Sequence, residues 1–99
     1  MQQEVTDYKF RRNFTMEELS QLPNIGRKLE ELLMQAGITD PAELKKLGSK
    51  AAFERLLLID ETACINKLYA LEGALQGIRW HHLSEDDKKS LREYFHSLK

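Results

Sequence analysis

From Phe14 onward, apolar residues fall in short runs at helical spacing, each bounded by its own start and stop signals, and no segment alternates as a strand would. Thr15, followed three residues later by Glu18, forms a capping box, with Phe14 and Leu19 at the positions of a hydrophobic staple; this predicts a first helix over about 16–21. Leu29, Leu32, Leu33 and Ala36 then recur at i, i+3, i+4 and i+7 and stop at Gly37, which predicts a second. Thr39 and Asp40 precede Pro41, a favourable first helical residue, and Glu43 completes another capping box, so a third helix runs over about 41–47 to Gly48. Ser49 can cap a helix holding Ala52, Phe53, Leu56 and Leu57, and Asp60 can cap a longer one over about 61–76, with a buried stripe of Cys64, Leu68, Leu71 and Leu75 ending at Gly77. Ser84, with Asp87 three residues on, opens a last helix that presents Leu91, Tyr94, Phe95 and Leu98. The pattern predicts an all-α fold, a compact bundle of five to six short helices over 14–99, preceded by an aperiodic tail or inter-domain linker at 1–13.

Composition narrows the class further. A chain of 99 residues, 41% hydrophobic and 31% charged, with a mean hydropathy of -0.54, makes one domain and leaves little room for an enclosed substrate cavity. Fifteen basic residues against sixteen acidic ones give a net charge of -1 and a pI near 6.3, so the molecule as a whole does not attract a polyanion, and any nucleic-acid contact must be local. The single cysteine, Cys64, cannot form an internal disulfide, and no apolar run approaches the roughly 20 residues of a membrane span. A reducing, cytoplasmic location is the expectation.

The most informative local feature is the connection Leu22-Pro23-Asn24-Ile25-Gly26 between the first two helices. Pro23 ends a helix by removing a donor, Asn24 tolerates a left-handed backbone, Ile25 can plug into the core and Gly26 permits close backbone approach. The amides around Gly26 to Lys28 then point outward from the positive end of a helix dipole, an arrangement suited to phosphate. Most other predicted helix starts carry acids, as at Glu17 and Glu18, Asp40 and Glu43, Asp60 and Glu61, and Glu85 to Asp87. Here the start carries Arg27 and Lys28, which the dipole disfavours by roughly 0.3–1 kcal/mol each, a conflict that an external anion relieves. The plainer reading pairs these cations with Glu30 and Glu31 on a solvated face.

The run L-P-N-I-G-R-K-L, followed by L-L-x-x-A-G-I, resembles the helix-hairpin-helix motif of DNA repair and replication proteins. That resemblance implies that the hairpin formed by Pro23, Asn24, Ile25, Gly26, Arg27 and Lys28 holds a DNA phosphate through its backbone amides without reading sequence. Asn24 stands where the commoner pattern has glycine, and its side chain bears on how closely DNA can approach. Over about 16–97 the chain also resembles the C-terminal domain of the TfoX/Sxy family of competence regulators, through LPNIGRKLEELLMQAGITDPAELKKLG and LYALEGALQGIRWHHL. The family's regulatory role implies a further N-terminal domain, for which 99 residues have no room.

An offset of 22 residues aligns Leu22, Ile25, Gly26 and Lys28 with Leu44, Leu47, Gly48 and Lys50. As a second hairpin this would add a phosphate contact from Lys45, Lys46, Gly48 and Lys50; as an ordinary helix junction, Gly48 is only a cap. Residues 22–55 hold six basic residues (Arg27, Lys28, Lys45, Lys46, Lys50, Arg55) against five acidic (Glu30, Glu31, Asp40, Glu43, Glu54), which supports only weak, salt-sensitive binding.

Other chemistry is sparse. His81 and His82 have only distant His96 to complete a metal site, so they read as surface residues, and Trp80 reads as a core plug between Ile78 and Leu83. Cys64 lies in phase with a buried stripe, and Asp86 and Asp87 serve a helix dipole. No Walker loop, dinucleotide fingerprint, nucleophile elbow or zinc pattern occurs, so neither an enzyme nor a cofactor is expected. Gly73, in the block Tyr69, Leu71, Glu72, Gly73 and Ala74, marks either a close internal crossing or a groove for a partner helix. Two functions follow: a regulatory module that touches DNA phosphates weakly, or a module that docks a transcription regulator and keeps the hairpin for structure.

Overall fold

The computed structural model describes residues 18–98, which form four α-helices and two single 3-10 turns, with no strand among them. The helices are α1 (Arg27–Gln35), α2 (Pro41–Ile59), α3 (Ile65–Gln76) and α4 (Glu85–Ser97), and the turns are Leu19–Gln21 and Trp80–His82. The tail at 1–13, and the capping box and staple built on Thr15 and Phe14, lie outside the described residues.

The all-α class holds, but the helix count is four among the described residues instead of five to six. Of the helix expected over 16–21, the described part is a 3-10 turn closed by Leu22 N–H to the Leu19 carbonyl at 3.0 Å. Leu22 is extended (φ -79°, ψ 149°) because Pro23 follows it and disfavours helical backbone there. The expected helix pair around Gly48 is one kinked α2: Gly48 alone leaves the helical region (φ 83°, ψ 165°) and the helix resumes at Ser49. That helix does not take Ser49 as a side-chain cap; the buried hydroxyl donates to Glu72 Oε1 of α3 at 2.6 Å.

A further correction concerns 60–65. Asp60 does not start a helix: its carboxylate accepts from Thr62 N at 3.0 Å and from the Thr62 hydroxyl, an Asx-turn, while Ala63 N bonds the Asp60 carbonyl at 3.1 Å. The turn buries Ala63 and delays α3 to Ile65, so Cys64 is the extended, exposed N-cap (φ -100°, ψ 172°) and not a member of the buried stripe.

Stops fall where glycine permits them. Gly37 (φ 87°) and Gly77 (φ 76°) both sit in the left-handed region, and Ile38 N to Leu33 O at 2.8 Å and Ile78 N to Gly73 O at 2.9 Å close the two helix ends. Starts of α2 and α4 are capped as expected, Asp40 Oδ1 accepting from Glu43 N at 2.9 Å and Ser84 Oγ from Asp87 N at 3.0 Å.

Helix α3 is the centre of the fold. It lies against α2 on one side and α4 and the 80–82 turn on another, while α1 leans on α2 and the 19–21 turn. Leu33, Ile38, Leu44, Phe53, Leu56, Leu68 and Leu71 are fully buried between these elements, each contributing about 1.5–3 kcal/mol.

Candidate functional site

The connection from Leu22 to Gly26 has the shape that its residue types require, except at its glycine. Asn24 occupies the left-handed region (φ 70°), and Ile25 is buried in the core. Gly26 is extended (φ -85°, ψ -177°) and needs no special backbone; what it supplies is open space, since nothing lies within 4 Å of where a Cβ would stand.

Gly26 is the N-cap of α1, and no side chain caps this helix. The first internal bond runs from Glu30 N to Gly26 O at 2.9 Å, which leaves the amides of Arg27, Lys28 and Leu29 ahead of the helical ladder. Gly26, Arg27 and Lys28 are all exposed, and among the described residues neither cation forms an ion pair. Glu30, within the first turn, turns its carboxylate back to the Ser20 amide at 3.2 Å. Lys28 borders a cleft of about 290 Å³ with Glu31, Asp60 and Lys67, where charges of both signs meet. The Asp60 carboxyl there is held below its ordinary value, first by the Thr62 hydroxyl, then by the Thr62 amide and the Lys67 charge. Because α3 also begins without a side-chain cap, and has no acid in its first turn, the contrast separates α1 and α3 from the capped α2 and α4, instead of setting α1 alone.

Asn24 is committed to the interior. Its Nδ2 donates to the Ile78 carbonyl at 2.9 Å and to the Ala70 carbonyl at 3.4 Å, and its Oδ1 accepts from Trp80 N at 3.1 Å. The carboxamide thus ties the 22–26 connection to α3 and to the segment that leaves it. Gly73 explains the fit, because a Cβ there would meet Asn24 Nδ2 at 2.6 Å, the Ile78 carbonyl at 2.9 Å and Trp80 Cα at 3.1 Å. The close crossing expected at Gly73 is therefore internal. Within the block Tyr69, Ala70, Leu71, Gly73 and Ala74 are buried by the fold's own elements.

The proposed repeat does not reproduce the first turn. Gly48 has positive φ where Gly26 has negative, and the residues matching Pro23 and Asn24, Lys45 and Lys46, are helical. Lys45 and Lys46 are exposed, with Lys46 Nζ 4.0 Å from Glu43 Oε2. Lys50 turns to α4, its Nζ 3.5 Å from Ser90 Oγ and 5.4 Å from the centre of the Tyr94 ring.

Trp80 is half-buried, not a closed core plug: it stacks on Tyr69 at 5.7 Å on the interior side and on exposed His81 at 4.3 Å. Sequence reasoning missed that Ile78 to Trp80 meets the hairpin, although the glycine at 73 was a signal of the approach. Among the described residues, no group of three His, Cys, Asp or Glu side chains is placed to hold a metal, and no helix is long and apolar enough to cross a membrane.

The sequence profile of the TfoX C-terminal domain matches residues 15–95. Protein Sxy of Escherichia coli (strain K12) is 37% identical over 84 residues, covering 85% of this chain; the chain spans 40% of the length of that relative. Among solved structures, an uncharacterized protein from Listeria monocytogenes in a triclinic crystal form is 54% identical with a TM-score of 0.81, over 82% of this chain and 92% of that one. A tetragonal form of a Listeria monocytogenes protein of unknown function gives 54% and 0.80, over 82% and 99%.

Proposed function

The chain belongs to the TfoX C-terminal domain family, and on that premise we propose that it is a non-enzymatic regulatory domain of a regulator of competence for DNA transformation, which contacts DNA phosphates weakly and without sequence preference through Asn24 to Lys28. One observation carries the DNA contact: α1 begins with exposed Gly26, Arg27 and Lys28, with no side-chain cap and no ion pair on either cation among the described residues. Backbone amides with a helix dipole and two free cations suit a phosphodiester oxygen. They offer nothing that distinguishes one base from another. In this reading Asn24 acts from behind, fixing the turn while its side chain stays out of the way of the DNA.

Fluorescence anisotropy with labelled duplex DNA at low and physiological salt tests the reading. Binding should fall steeply with salt, be indifferent to sequence, and be lost in an Arg27→Glu/Lys28→Glu variant that circular dichroism shows to be folded. Undetectable binding at every salt, or binding untouched by the variant, would overturn it.

A second reading, docking of a transcription regulator, is favoured by a separate observation. Leu58 is 88% exposed and Ile59 and Leu98 are 41% and 38% exposed, all at the C-terminal ends of α2 and α4. On that reading Leu58→Lys abolishes regulation while DNA affinity and fold are unchanged.

A further inference from the structure

The Asn24 carboxamide grips the backbone on both sides of one residue, accepting from Trp80 N at 3.1 Å and donating to the Ile78 carbonyl at 2.9 Å. The residue between them is Arg79. It is exposed, it makes no ion pair among the described residues, and its backbone is held against the hairpin two residues from Gly26. The stack of Tyr69, Trp80 and His81 fixes the following residues against α3. Lys88 reaches back from α4, its Nζ 3.3 Å from the His81 carbonyl, and brings another cation to the same segment.

The charge pattern of the two joined segments is one-sided. Residues 19–29 contain Arg27 and Lys28 and no acid, and residues 73–84 contain Arg79 and no acid, in a chain whose net charge is -1. Of the flanking acids, Glu30 is turned to the Ser20 amide, Glu72 to Ser49 Oγ and Gln76 Nε2, and Asp87 to Gln76 Nε2 at 2.9 Å, while Glu85 and Asp86 are exposed at the start of α4. Neither segment is strongly basic alone, and they are far apart in sequence; the Asn24 hydrogen bonds bring their backbones together.

We propose that Arg79 is a second phosphate contact, so that duplex DNA lies across the start of α1 and the α3–α4 connection together. This rests on the reading of Arg27 and Lys28 given above and adds to it a residue of a different segment. A rod of regularly spaced phosphates is the partner that such a surface fits, because cations on two separate segments can engage successive phosphates where a small anion would reach only one. Arginine suits the position, since its planar fork binds a phosphate through two parallel hydrogen bonds.

The test is the salt dependence of anisotropy with labelled duplex DNA for the whole chain, its Arg79→Ala and Arg79→Lys variants, and Arg92→Ala as a control on an exposed cation of α4. Each phosphate contact adds about 0.9 to the slope of log K against log salt. Arg79→Ala should lower that slope by about one contact and weaken binding roughly five- to tenfold near 0.1 M salt. Arg79→Lys should restore most of the slope, which a purely structural role for the side chain would not require, and Arg92→Ala should leave it unchanged. If Arg79→Ala binds like the parent chain while Arg27→Glu/Lys28→Glu does not, the proposal fails and the hairpin reading stands. If the parent chain binds no duplex DNA, both fail.

Discussion

Gly73 of α3 and Asn24 of the hairpin are complementary: the space that a side chain at 73 would fill is taken by the Asn24 carboxamide, 2.6 Å from the position of a Cβ. A helix interior normally disfavours glycine by about 1 kcal/mol against alanine. Here the missing methyl lets a turn 46 residues distant from Ala70 in sequence hydrogen-bond to α3 and the segment after it.

Gly73→Ala should therefore destabilise the domain by about 1–3 kcal/mol despite its better helix propensity, because the nearest atoms include the Ile78 carbonyl and Trp80 Cα, which are backbone and cannot swing aside. Urea denaturation of the variant checks this. An unchanged or raised midpoint would mean that the approach relaxes at no cost.

Asn24 supplies both a left-handed backbone and a clamp, and one substitution separates them. Asn24→Gly keeps the backbone and loses the hydrogen bonds, and about 1–3 kcal/mol is expected from leaving the Ile78 carbonyl and Trp80 amide without this partner. Because Trp80 is the one tryptophan and the clamp holds its amide, its emission should also change in Asn24→Gly, which fluorescence spectra would show.

Two glycines with equally open surroundings should behave in opposite ways. Gly48→Ala should cost about 1–3 kcal/mol, since φ 83° with ψ 165° is a region that is nearly confined to glycine. Gly26→Ala should leave the fold intact at φ -85°, while its methyl stands where a phosphate would approach and weakens DNA binding. Denaturation and anisotropy on both variants read the two effects independently.

Asp60 gives a pH dependence of known sign. Its carboxyl, held below the ordinary value of 3.8 by Thr62 and Lys67, favours the folded state when ionised; that contribution is present above about pH 4 and is lost as the pH falls through the lowered value. Thermal melts of the parent chain and Asp60→Asn should differ at neutral pH and converge in acid. A difference that stayed unchanged however far the pH was lowered would show that charge is not the cause.

Much of this architecture is local and therefore legible in the residues themselves. Asp40 and Ser84 cap where their own backbone neighbours need an acceptor, Gly37 and Gly77 end helices through a conformation that other residues resist, and the spacing of Leu29 and Leu33 marks a buried face. Asn24 and Ile25 declared their backbone and burial in the same way. Some residues fit two local outcomes: Asp60 suits a helix cap or an Asx-turn, and the chain takes the turn, with Ala63 buried and Cys64 exposed. Gly48 could separate two helices or kink one, and the helix resumes directly at Ser49, whose hydroxyl is held by Glu72 of α3. The meeting of the two basic segments belongs to tertiary structure alone. The sequence places Arg27, Lys28 and Arg79 in segments without acids, but only the packing of Asn24 into the space above Gly73 sets those segments side by side, because hydrogen bonds between residues so far apart have no signature in local propensity.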